Sequence, residues 1–373
     1  MALERLAWCE ISKTALKNNL EQIQRFVGEK TAVMTVVKAN AYGHGAVEVS
    51  KVALEAGVKM LGVSSFVEAK ELREAGIKAP VVILGFTPAE NYLDMVNFDI
   101  TVTIRSLDVA RALSTAARRE EKIAKVWIKV NTGMHRLGLN PAEVLFFVKK
   151  VQNLPNLALT GIFTHFAEAD NHDLGFTKSQ LSSFKKLLDE LEREGIKIPI
   201  RSAANSAATV KLADSHFDLV RIGIAMYGLK PNLAFDYGLD FRPALTFKTE
   251  ITQITEINKG ESVGYGREFI AKRPTLVATL AVGYGDGFRR GPKNWGEVLI
   301  SGKRVPLVGR VSMDQAAADI TNLQADIRRG EEVILIGKSG NEEITAEEVA
   351  AKLGTISYEV VTSISARVPR IYI

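Results

Sequence analysis

The chain has very little cysteine and no long apolar run. Its single cysteine, Cys9, excludes an intramolecular disulfide framework and a cysteine-built zinc or iron–sulfur cage, so we expect no metal site and a reducing compartment. No run of about 18 apolar residues occurs, so we expect no membrane span. The segment from Met1 to Arg5 lacks the basic and apolar pattern of a signal peptide, which predicts a cytoplasmic protein.

A strong excess of charge of one sign is also missing. Lys and Arg number 48 against 43 Asp and Glu, which leaves a net charge of +5. The densest basic stretches are the pairs Arg118-Arg119, Arg289-Arg290 and Arg328-Arg329, which are too short to form a nucleic-acid-binding tract. We therefore expect small anionic molecules, and not nucleic acid, as partners. Because 46% of residues are hydrophobic, a largely disordered chain is excluded.

What the sequence does contain is a repeated strand–helix rhythm over its first two thirds. Short apolar, β-branched runs are typical of buried parallel strands. We predict strands at 32–37, 60–64, 81–85, 100–104, 125–131, 159–164, 200–203 and 219–224. Helical patterns occur at 13–27, 47–56, 67–75, 90–96, 107–119, 141–152, 177–194 and 206–212. This alternation favours an α/β fold with an N-terminal (βα)8 TIM-type barrel over an open sheet.

The pattern changes after Pro231-Asn232-Leu233. Strands without long helices between them are predicted at 244–256, 275–282, 297–300, 304–311, 316–320, 333–336 and 366–373, with one helix at 346–353. We therefore expect a cofactor-binding barrel over residues 1–233 and a β-rich C-terminal domain over residues 234–373. About the first 10 residues are expected to pack with the C-terminal domain.

Lys38 ends the first predicted strand, within the segment Val37-Lys38-Ala39-Asn40-Ala41-Tyr42-Gly43-His44-Gly45. The carboxyl ends of barrel strands form the catalytic face. Burial there lowers the pKa of a lysine and frees a neutral amine that can form a Schiff base. On position alone, a lysine that merely snorkels from a strand end is the stronger alternative. Tyr42 and the glycines, which leave room for a ligand, favour the catalytic interpretation.

Later strand ends also carry charged and polar groups. Arg136 can bind a carboxylate or phenolate oxygen through its planar guanidinium. Lys129 is a charge inside an apolar strand, which is more typical of a paired structural group. His165 closes the sixth strand, where structural and functional roles are equally open. Barrels often bind phosphate after strands 7 and 8, where this chain offers a hydroxyl and two amides, those of Ser206, Gly223 and Ile224.

The β domain contains tyrosines flanked by glycine, in Gly264-Tyr265-Gly266 and Gly283-Tyr284-Gly285. A phenol exposed on a turn can act as an acid or a base. One such tyrosine is usually only a turn residue, whereas several in one domain indicate a shared site.

Together these motifs resemble the alanine racemases, a pyridoxal-phosphate family with an N-terminal (βα)8 barrel and a C-terminal β domain. The resemblance covers essentially the whole chain. It rests above all on the segment from Val37 to Gly45. Three shorter motifs match as well: Arg221-Ile222-Gly223, Gly264-Tyr265-Gly266 and Arg367-Val368-Pro369-Arg370. The chain departs from the family's frequent aspartate at Asn131, glycine at His135 and cysteine at Thr362.

The resemblance implies a role for most of the residues singled out above. Lys38 would carry the pyridoxal phosphate. Arg221 would face the pyridine nitrogen, and His165 would support Arg221 and link it to Tyr265. Arg136 would contact the phenolic oxygen of the cofactor and the carboxylate of the substrate. The cofactor phosphate would be held by Tyr42, Ser206, Gly223, Ile224 and Tyr358.

The resemblance also implies a head-to-tail homodimer with shared active sites. Tyr265 and Met313 would reach the active site of the partner subunit, where the Met313 amide would bind the substrate carboxylate. In some members of the family the residue at Lys129 is carbamylated, which would pair it with Arg136. Substrate access would be lined by Tyr284, Arg310 and Ile356, together with Tyr358.

The implied activity is the interconversion of L-alanine and D-alanine, which supplies D-alanine for cell-wall peptidoglycan. Lys38 would serve one face of the α-carbon and Tyr265 of the partner subunit the other. A serine or broader-specificity racemase of the same fold is an alternative. A non-catalytic pyridoxal-phosphate carrier is another, although it would have no use for a β domain that bears Tyr265 and Met313. A related decarboxylase would be expected to have a catalytic cysteine in its β domain, and the chain has only Cys9.

Overall fold

The computed structural model describes residues 5–323 and 326–373. Strand β1 (Ala7–Ile11) and helix α1 (Lys13–Val27) precede the barrel. The barrel strands are β2 (Ala32–Val36), β3 (Met60–Val63), β4 (Val81–Ile83), β5 (Ile100–Ile104), β6 (Ala124–Lys129), β7 (Leu157–Phe163), β8 (Ile200–Ser202) and β9 (Leu219–Ile222). Within the described ranges these eight strands are parallel and ordered β8-β7-β6-β5-β4-β3-β2-β9, which confirms the predicted barrel.

Helices of the barrel pack through apolar stripes, and several begin at side-chain caps. In α6 (Leu107–Arg119), for example, Ala110, Leu113 and Ala117 are buried at helical spacing, and the Ser106 hydroxyl accepts from the Val109 amide. The other helices are α2 (Lys38–Tyr42), α3 (Ala46–Glu55), α4 (Phe66–Glu74), α5 (Tyr92–Asn97), α7 (Pro141–Gln152), α8 (Gly175–Arg193) and α9 (Ser206–Lys211). Short 3-10 turns occur at Ala89–Asn91, Ala213–Ser215, Tyr265–Arg267 and Tyr284–Asp286.

The barrel closes between β8 and β9 through individual hydrogen bonds. The Ser202 hydroxyl donates to the Leu219 carbonyl at 2.7 Å, and the Arg221 amide donates to the Ala204 carbonyl at 3.0 Å. The Asp218 carboxylate, at the other end of the seam, accepts from the Arg201 amide at 2.8 Å. The seam therefore brings the segment after β8, which leads to Ser206, next to Arg221 on β9.

The interior of the barrel is filled by large side chains. Met34, Val82, Trp127, Phe163 and Leu219 form a separate buried cluster. A side chain at Gly161 would overlap the Trp127 ring, so the glycine on β7 makes room for the indole of the neighbouring strand β6. The barrel is thus a packed core, and its ligands must bind at one end.

A second, larger sheet forms the C-terminal part. Its strands are β10 (Leu245–Ile257), β13 (Thr275–Leu280), β14 (Glu297–Ile300), β15 (Lys303–Pro306), β16 (Ala316–Asp319), β17 (Glu332–Ser339), β18 (Glu342–Ile344) and β19 (Arg370–Tyr372). Strands β11 (Ser262–Val263) and β12 (Phe269–Ile270) form a separate small ribbon, and the helices are α10 (Ala346–Leu353) and α11 (Ser357–Thr362). This composition confirms the predicted mainly β domain.

The strand β1 belongs to this second sheet although it precedes the barrel in sequence. It pairs antiparallel with β10 and parallel with β19, so that Cys9 lies between Phe247 and Arg370. Residues 1–4, which the predicted packing of the N-terminal segment includes, lie outside the described residues. Among the helices that the structure describes, none has the length and apolar character needed to cross a membrane.

Two predicted strands are too long, and proline explains both differences. The strand predicted at 304–311 ends at Pro306, and the strand predicted at 366–373 is formed only from Arg370, after Pro369. Because proline has no backbone N–H, it interrupts the hydrogen-bond ladder. Helix α11, which carries Tyr358, was not predicted from the apolar pattern.

Candidate active site

Lys38 lies at the mouth of the barrel, where β2 ends and a left-handed turn begins. The four residues that follow it, Ala39 to Tyr42, have φ between 51° and 52°, and Gly43 continues at 83°. Left-handed backbone is disfavoured for residues with a Cβ, so this turn must be held by its surroundings. Its contacts include bonds from the Ala41 amide to the Val37 carbonyl at 2.8 Å and from the Gly43 amide to the Ala39 carbonyl at 3.0 Å.

The electrostatic surroundings of Lys38 favour its neutral amine. Burial lowers the pKa of Lys38, the positive charge of Arg136 lowers it further, and the negative charge of Glu68 acts in the opposite direction. Lys38 is half-buried, so the amine is both desolvated and accessible. These are the properties that a lysine needs to react with a carbonyl compound.

Arg136 is exposed on the loop that follows β6. Asn131 fixes this loop, because its side-chain oxygen accepts from the Gly133 amide at 3.2 Å and from the His135 amide at 2.9 Å. The Asn131 amide group also contacts His135 Nδ1 at 3.1 Å. The backbone bond from the Asn131 amide to the Leu139 carbonyl, at 2.8 Å, closes the loop at its base. The two residues that depart from the family's usual choice at 131 and 135 therefore contact each other beside Arg136.

Lys129 is buried at the end of β6 with only 6% of its surface exposed. Burial lowers its pKa to about 8, and the nearby charges of Arg136, Arg221, Lys38 and Arg105 act in the same direction. Its ammonium lies 5.5 Å from the centre of the Phe163 ring. Lys129 is thus a buried amine in a cluster of cations, and a group that became negative here would be stabilised.

Arg221 is the most completely bonded charged group at the mouth. Its Nη1 donates to the Ser202 hydroxyl at 2.7 Å, and its Nη2 donates to the Thr164 carbonyl at 2.7 Å and to the Ala203 carbonyl at 3.1 Å. Burial lowers the pKa of Arg221 to about 9, so that the guanidinium stays protonated at neutral pH. The guanidinium is therefore a fixed cation.

His165 is neutral beside this cation. Burial and the charge of Arg221 lower the pKa of His165 well below its usual value. Arg221 Nη2 lies 3.2 Å from His165 Nδ1. Because a guanidinium can only donate, Nδ1 must accept, and the ring proton of the neutral imidazole is on Nε2. His165 can thus pass a hydrogen bond from Arg221 outward through Nε2.

The start of α9, the turn after β9 and two tyrosines lie close together at the barrel mouth. The Ser206 hydroxyl accepts from the Gly223 amide at 3.1 Å and from the Ala225 amide at 3.4 Å. A Cβ at Gly223 would lie 2.6 Å from the Tyr42 hydroxyl, so glycine at this position allows the close approach of the Tyr42 phenol. The Tyr358 ring packs 5.9 Å from the Tyr42 ring. Burial raises the pKa of Tyr42 to about 12, which keeps its hydroxyl protonated and able to donate.

The β domain presents Tyr265 and Met313 to solvent, with 68% and 54% of their surfaces exposed. The Tyr265 ring faces the Arg290 guanidinium at 5.9 Å. The Met313 carbonyl accepts from the Gly285 amide at 2.8 Å, which ties the Met313 loop to the next turn. Both side chains are therefore held on a firm backbone while their own surfaces remain uncovered.

Asp286 holds the loops of this exposed face through ion pairs and a hydrogen bond. Its fully buried carboxylate pairs with Arg5 at 2.6 Å and with Arg367 at 2.9 Å, and it accepts from the Gly283 amide at 2.9 Å. Arg367 also pairs with Asp314 at 2.8 Å, next to Met313. The network links the two loops that carry Tyr284 and Met313.

Tyr284 and Arg310 line a cavity of about 710 Å³ on the same domain, together with Glu268 and Arg290. Arg310 forms an ion pair with Glu268. Ile356 is half exposed at the N-cap of α11, two residues before Tyr358.

The predicted site residues thus fall into two groups. Ten of them lie at the barrel mouth, as shown by their hydrogen bonds, their mutual effects on pKa or their place next to such residues in the chain. They are Lys38, Tyr42, Lys129, Arg136, His165, Ser206, Arg221, Gly223, Ile224 and Tyr358. The contacts found for Tyr265, Met313 and Arg310 among the described residues are with the β domain. Sequence reasoning missed Glu68, although Ser65-Phe66-Val67-Glu68 has the spacing of a capping box.

Comparison with known proteins identifies the family. The family model described as "Alanine racemase, N-terminal domain" matches residues 11–231, and that described as "Alanine racemase, C-terminal domain" matches residues 244–372. The chain belongs to the alanine racemase family. The alanine racemase of Methanococcus maripaludis is 45% identical over 368 residues, 98% of either chain. That of Halothermothrix orenii is 41% identical over 370 residues, 99% of this chain and 97% of the relative.

Solved structures of the alanine racemase family agree with the fold. The alanine racemase of Clostridium difficile 630 has a TM-score of 0.96 at 38% identity, with 100% of this chain and 96% of the other covered. The Bacillus anthracis alanine racemase, solved with bound L-Ala-P, has a TM-score of 0.94 at 38% identity and the same coverage. The protein is therefore an isomerase of the racemase type, which confirms the enzyme class predicted from the motifs.

Proposed function

We propose that the protein binds pyridoxal phosphate and interconverts L-alanine and D-alanine by a two-base mechanism, supplying D-alanine for peptidoglycan. The observation that carries the proposal is Lys38, a half-buried amine of lowered pKa at the barrel mouth. The paired Ser206 hydroxyl and Gly223 amide, and a fixed guanidinium, lie at the same mouth. Together with membership of the alanine racemase family, this supports covalent attachment of the cofactor at Lys38.

The residues of the mouth fit both ends of this cofactor. Ser206, Gly223 and Tyr42 bring a hydroxyl, an amide and a phenol close together, which suits a phosphate. The Tyr358 ring packs against the Tyr42 ring, and the amide of Ile224 follows that of Gly223 in the chain. Arg221, fixed by its carbonyl and hydroxyl contacts, suits a ring nitrogen that must stay unprotonated, because a guanidinium hardly gives up its proton.

The reaction needs a proton to leave one face of the α-carbon and another to arrive on the opposite face. When bound, pyridoxal phosphate withdraws electrons from the amino acid and so acidifies its α-hydrogen. Lys38 takes or returns the proton on one face, and burial and Arg136, which lower its pKa, favour this exchange by making the amine easier to deprotonate. Tyr265 of the partner subunit does so on the other face, and His165 Nε2 links that phenol to Arg221.

We infer a head-to-tail homodimer from the exposure of two predicted site residues. Tyr265 and Met313 are exposed on loops of the β domain, and their contacts among the described residues are with that domain and not with the barrel mouth. Insertion of these loops into the partner's barrel mouth would bury both side chains. The Met313 amide and Arg136 then bind the substrate carboxylate from two sides, and Tyr284, Arg310 and Ile356 border the route of access.

We further propose that Lys129 is carbamylated. Its pKa of about 8 leaves part of the amine neutral at physiological pH, and a neutral amine adds to carbon dioxide with loss of one proton. A small cavity of about 20 Å³ adjoins Lys129, Thr103 and Arg105. Within the described ranges the Thr103 hydroxyl has no hydrogen-bond partner, so it is available to the carbamate. The resulting negative charge would pair with Arg136.

Chiral analysis of L-alanine incubated with the pyridoxal-phosphate-loaded protein tests the activity. D-alanine should accumulate until the two enantiomers are equal. L-serine incubated in parallel separates an alanine racemase from a serine or broader-specificity racemase. Formation of no D-alanine by a protein that holds the cofactor on Lys38 would contradict the proposal and support a carrier. Growth of a D-alanine-requiring bacterium that expresses the protein tests the peptidoglycan role.

A further inference from the structure

The left-handed turn after Lys38 needs an external support. Four successive residues with a Cβ occupy the left-handed region, which is unfavourable for each of them. Most of the bonds that hold the turn are internal to residues 37–46, such as that from the Ala46 amide to the Asn40 side chain at 2.8 Å. The first amide of the turn, that of Ala39, is different, because it donates to Glu68 Oε1 on α4 at 2.8 Å.

Glu68 joins the ends of two neighbouring barrel strands. Its Oε2 accepts from the Ser64 amide at 2.6 Å and from the Ser65 amide at 3.2 Å, just after β3. Its Oε1 accepts from Ala39, just after β2. One carboxylate therefore satisfies three backbone donors and connects the segment that carries Lys38 to the start of α4.

A second capping box in the barrel has the same chemistry without this connection. In α7, Glu143 accepts from the Asn140 amide at 3.0 Å, and Asn140 caps the helix. The contacts of Glu68 with the amides of Ala39 and Ser64 are therefore not part of ordinary helix capping. Glu143 provides a matched control for the capping function alone.

The charge of Glu68 also distinguishes it among the groups that face Lys38. Those groups are Arg136 and Lys129 from β6 and its loop, His165 from the end of β7, and Glu68 from α4. Burial is the main cause that lowers the pKa of Lys38, and Arg136 adds to it. Glu68 alone of these four is an anion, and it opposes the decrease.

We propose that Glu68 is a positioning residue for Lys38, because its carboxylate fixes the amide that follows Lys38 and places a negative charge at the same end of the barrel. The proposal rests on the catalytic role proposed for Lys38. It assigns to α4 a task in the active site that its capping box does not require. The geometry of the turn and the charge are two separable parts of this task.

The geometric part is tested by amide hydrogen exchange of the full-length, cofactor-loaded protein, read by mass spectrometry over residues 38–45. In Glu68→Gln one acceptor oxygen becomes an NH2 group, so Ala39 or the Ser64–Ser65 pair loses its acceptor. We expect exchange over this segment to become about tenfold faster. Glu143→Gln should leave the segment unchanged and accelerate exchange only near Asn140. Equal protection of residues 38–45 in the wild type and Glu68→Gln would overturn the proposal.

The charge is tested by the pH dependence of kcat in the two directions of alanine interconversion. Because Glu68 raises the pKa of Lys38, removal of the Glu68 charge must lower that pKa. The part of the pH–rate profile that reports the titration of Lys38, here called its limb, should therefore move to lower pH in Glu68→Gln. Glu68→Asp keeps the charge but shortens the reach, so it should accelerate exchange at residues 38–45 with a smaller movement of the limb. A limb that stays in place or moves upward in Glu68→Gln would overturn the electrostatic part.

These readouts separate the positioning role from the proposed function. If the wild-type protein failed to interconvert the alanine enantiomers, the catalytic proposal would fail, whereas hydrogen exchange would still decide whether Glu68 holds the turn. If Glu68→Gln failed to fold, as judged by its thermal transition beside that of Glu143→Gln, the Glu68→Asp variant would carry the exchange test.

Discussion

The barrel mouth and the exposed face of the β domain differ in almost every physical property. At the mouth, Arg221 is 4% exposed and Lys129 is 6% exposed, and the charged groups there shift one another's pKa values. On the β domain, Tyr265 and Met313 are more than half exposed. The mouth is organised by contacts within one chain, whereas the β-domain face is firm in its backbone and uncovered in its side chains.

This difference teaches that the two halves of the site respond to different perturbations. A change at the mouth removes bonds already made within the chain, so it should alter stability and cofactor binding as well as activity. A change on the β-domain face removes a group that we propose to act in the partner subunit, so it should alter catalysis or dimer formation and leave the stability of the chain nearly unchanged. The predictions below test this contrast.

The largest effect is expected for Lys38→Ala. It removes both the proposed point of cofactor attachment and one of the two proposed proton-transfer groups, so the racemisation rate should fall at least ~1000-fold in both directions. Chiral analysis gives the rate, and borohydride reduction followed by mass spectrometry shows whether cofactor is still attached. Lys51→Ala, an exposed lysine paired with Glu48 on α3, is the control. Retained activity in Lys38→Ala would contradict the assignment.

Tyr265→Phe should slow α-hydrogen exchange in one alanine enantiomer far more than in the other. Loss of one general base or acid lowers a rate by roughly 100- to 10,000-fold, and only the direction in which Tyr265 removes the proton should lose α-hydrogen exchange to this extent. Incorporation of deuterium from solvent into each enantiomer measures the two directions separately. Tyr284→Phe, on the same face, should leave the ratio near that of the wild type. An equal loss in both directions would exclude the two-base assignment.

Arg221→Lys and Arg310→Lys compare a buried guanidinium with an exposed one. Lysine at 221 cannot serve the Thr164 and Ala203 carbonyls together with Ser202, and each buried acceptor left without a donor costs about 1–3 kcal/mol. We therefore expect about 2–5 kcal/mol of destabilisation in urea. Arg310, exposed and paired with Glu268, should lose less than about 1 kcal/mol on substitution. Similar losses for the two variants would contradict the contrast between the halves.

Lys129 should make the stability of the cofactor-free protein depend on pH in an unusual direction. Its pKa is about 8 in the folded chain and 10.5 as a free side chain, so the unfolded state binds more protons between these values. Stability must therefore rise with pH over this window, by ~2–3 kcal/mol, and the penalty is fully present below pH 8. Urea unfolding of Lys129→Met should lack the rise, whereas Lys125→Met, at an exposed lysine, should keep it. Bicarbonate should diminish the rise in the wild type if Lys129 is carbamylated.

Local sequence patterns predicted most of the barrel because the strands and helices of a βα unit are defined by short-range apolar spacing. Helices Leu107–Arg119 and Pro141–Gln152 agree with the predicted bounds at both ends. The strand β1 was not predicted, since its partners Phe247 and Arg370 are hundreds of residues away in the sequence. A five-residue strand whose partners are all distant in the sequence carries little pattern of its own.

The same distinction applies to the candidate site. Lys38, Arg221 and Ser206 could be found because they end strands or begin a helix, and the resemblance to the alanine racemases added their roles. The contact between Glu68 and Ala39 could not be found, because it depends on a left-handed turn that the residues Ala39-Asn40-Ala41 do not themselves favour. Such strained backbone is determined by its surroundings, and no local propensity encodes it.

The position of Cys9 allows local opening of the second sheet to be measured. The thiol lies fully buried in β1 between two strands, and burial raises its pKa to about 12, so it is inert while the sheet is intact. Because the sequence holds this one cysteine, the rate at which a thiol reagent labels the protein measures how often β1 leaves its place. Thiol labelling of the unmodified protein therefore measures the rate at which the second sheet opens locally, without an introduced probe.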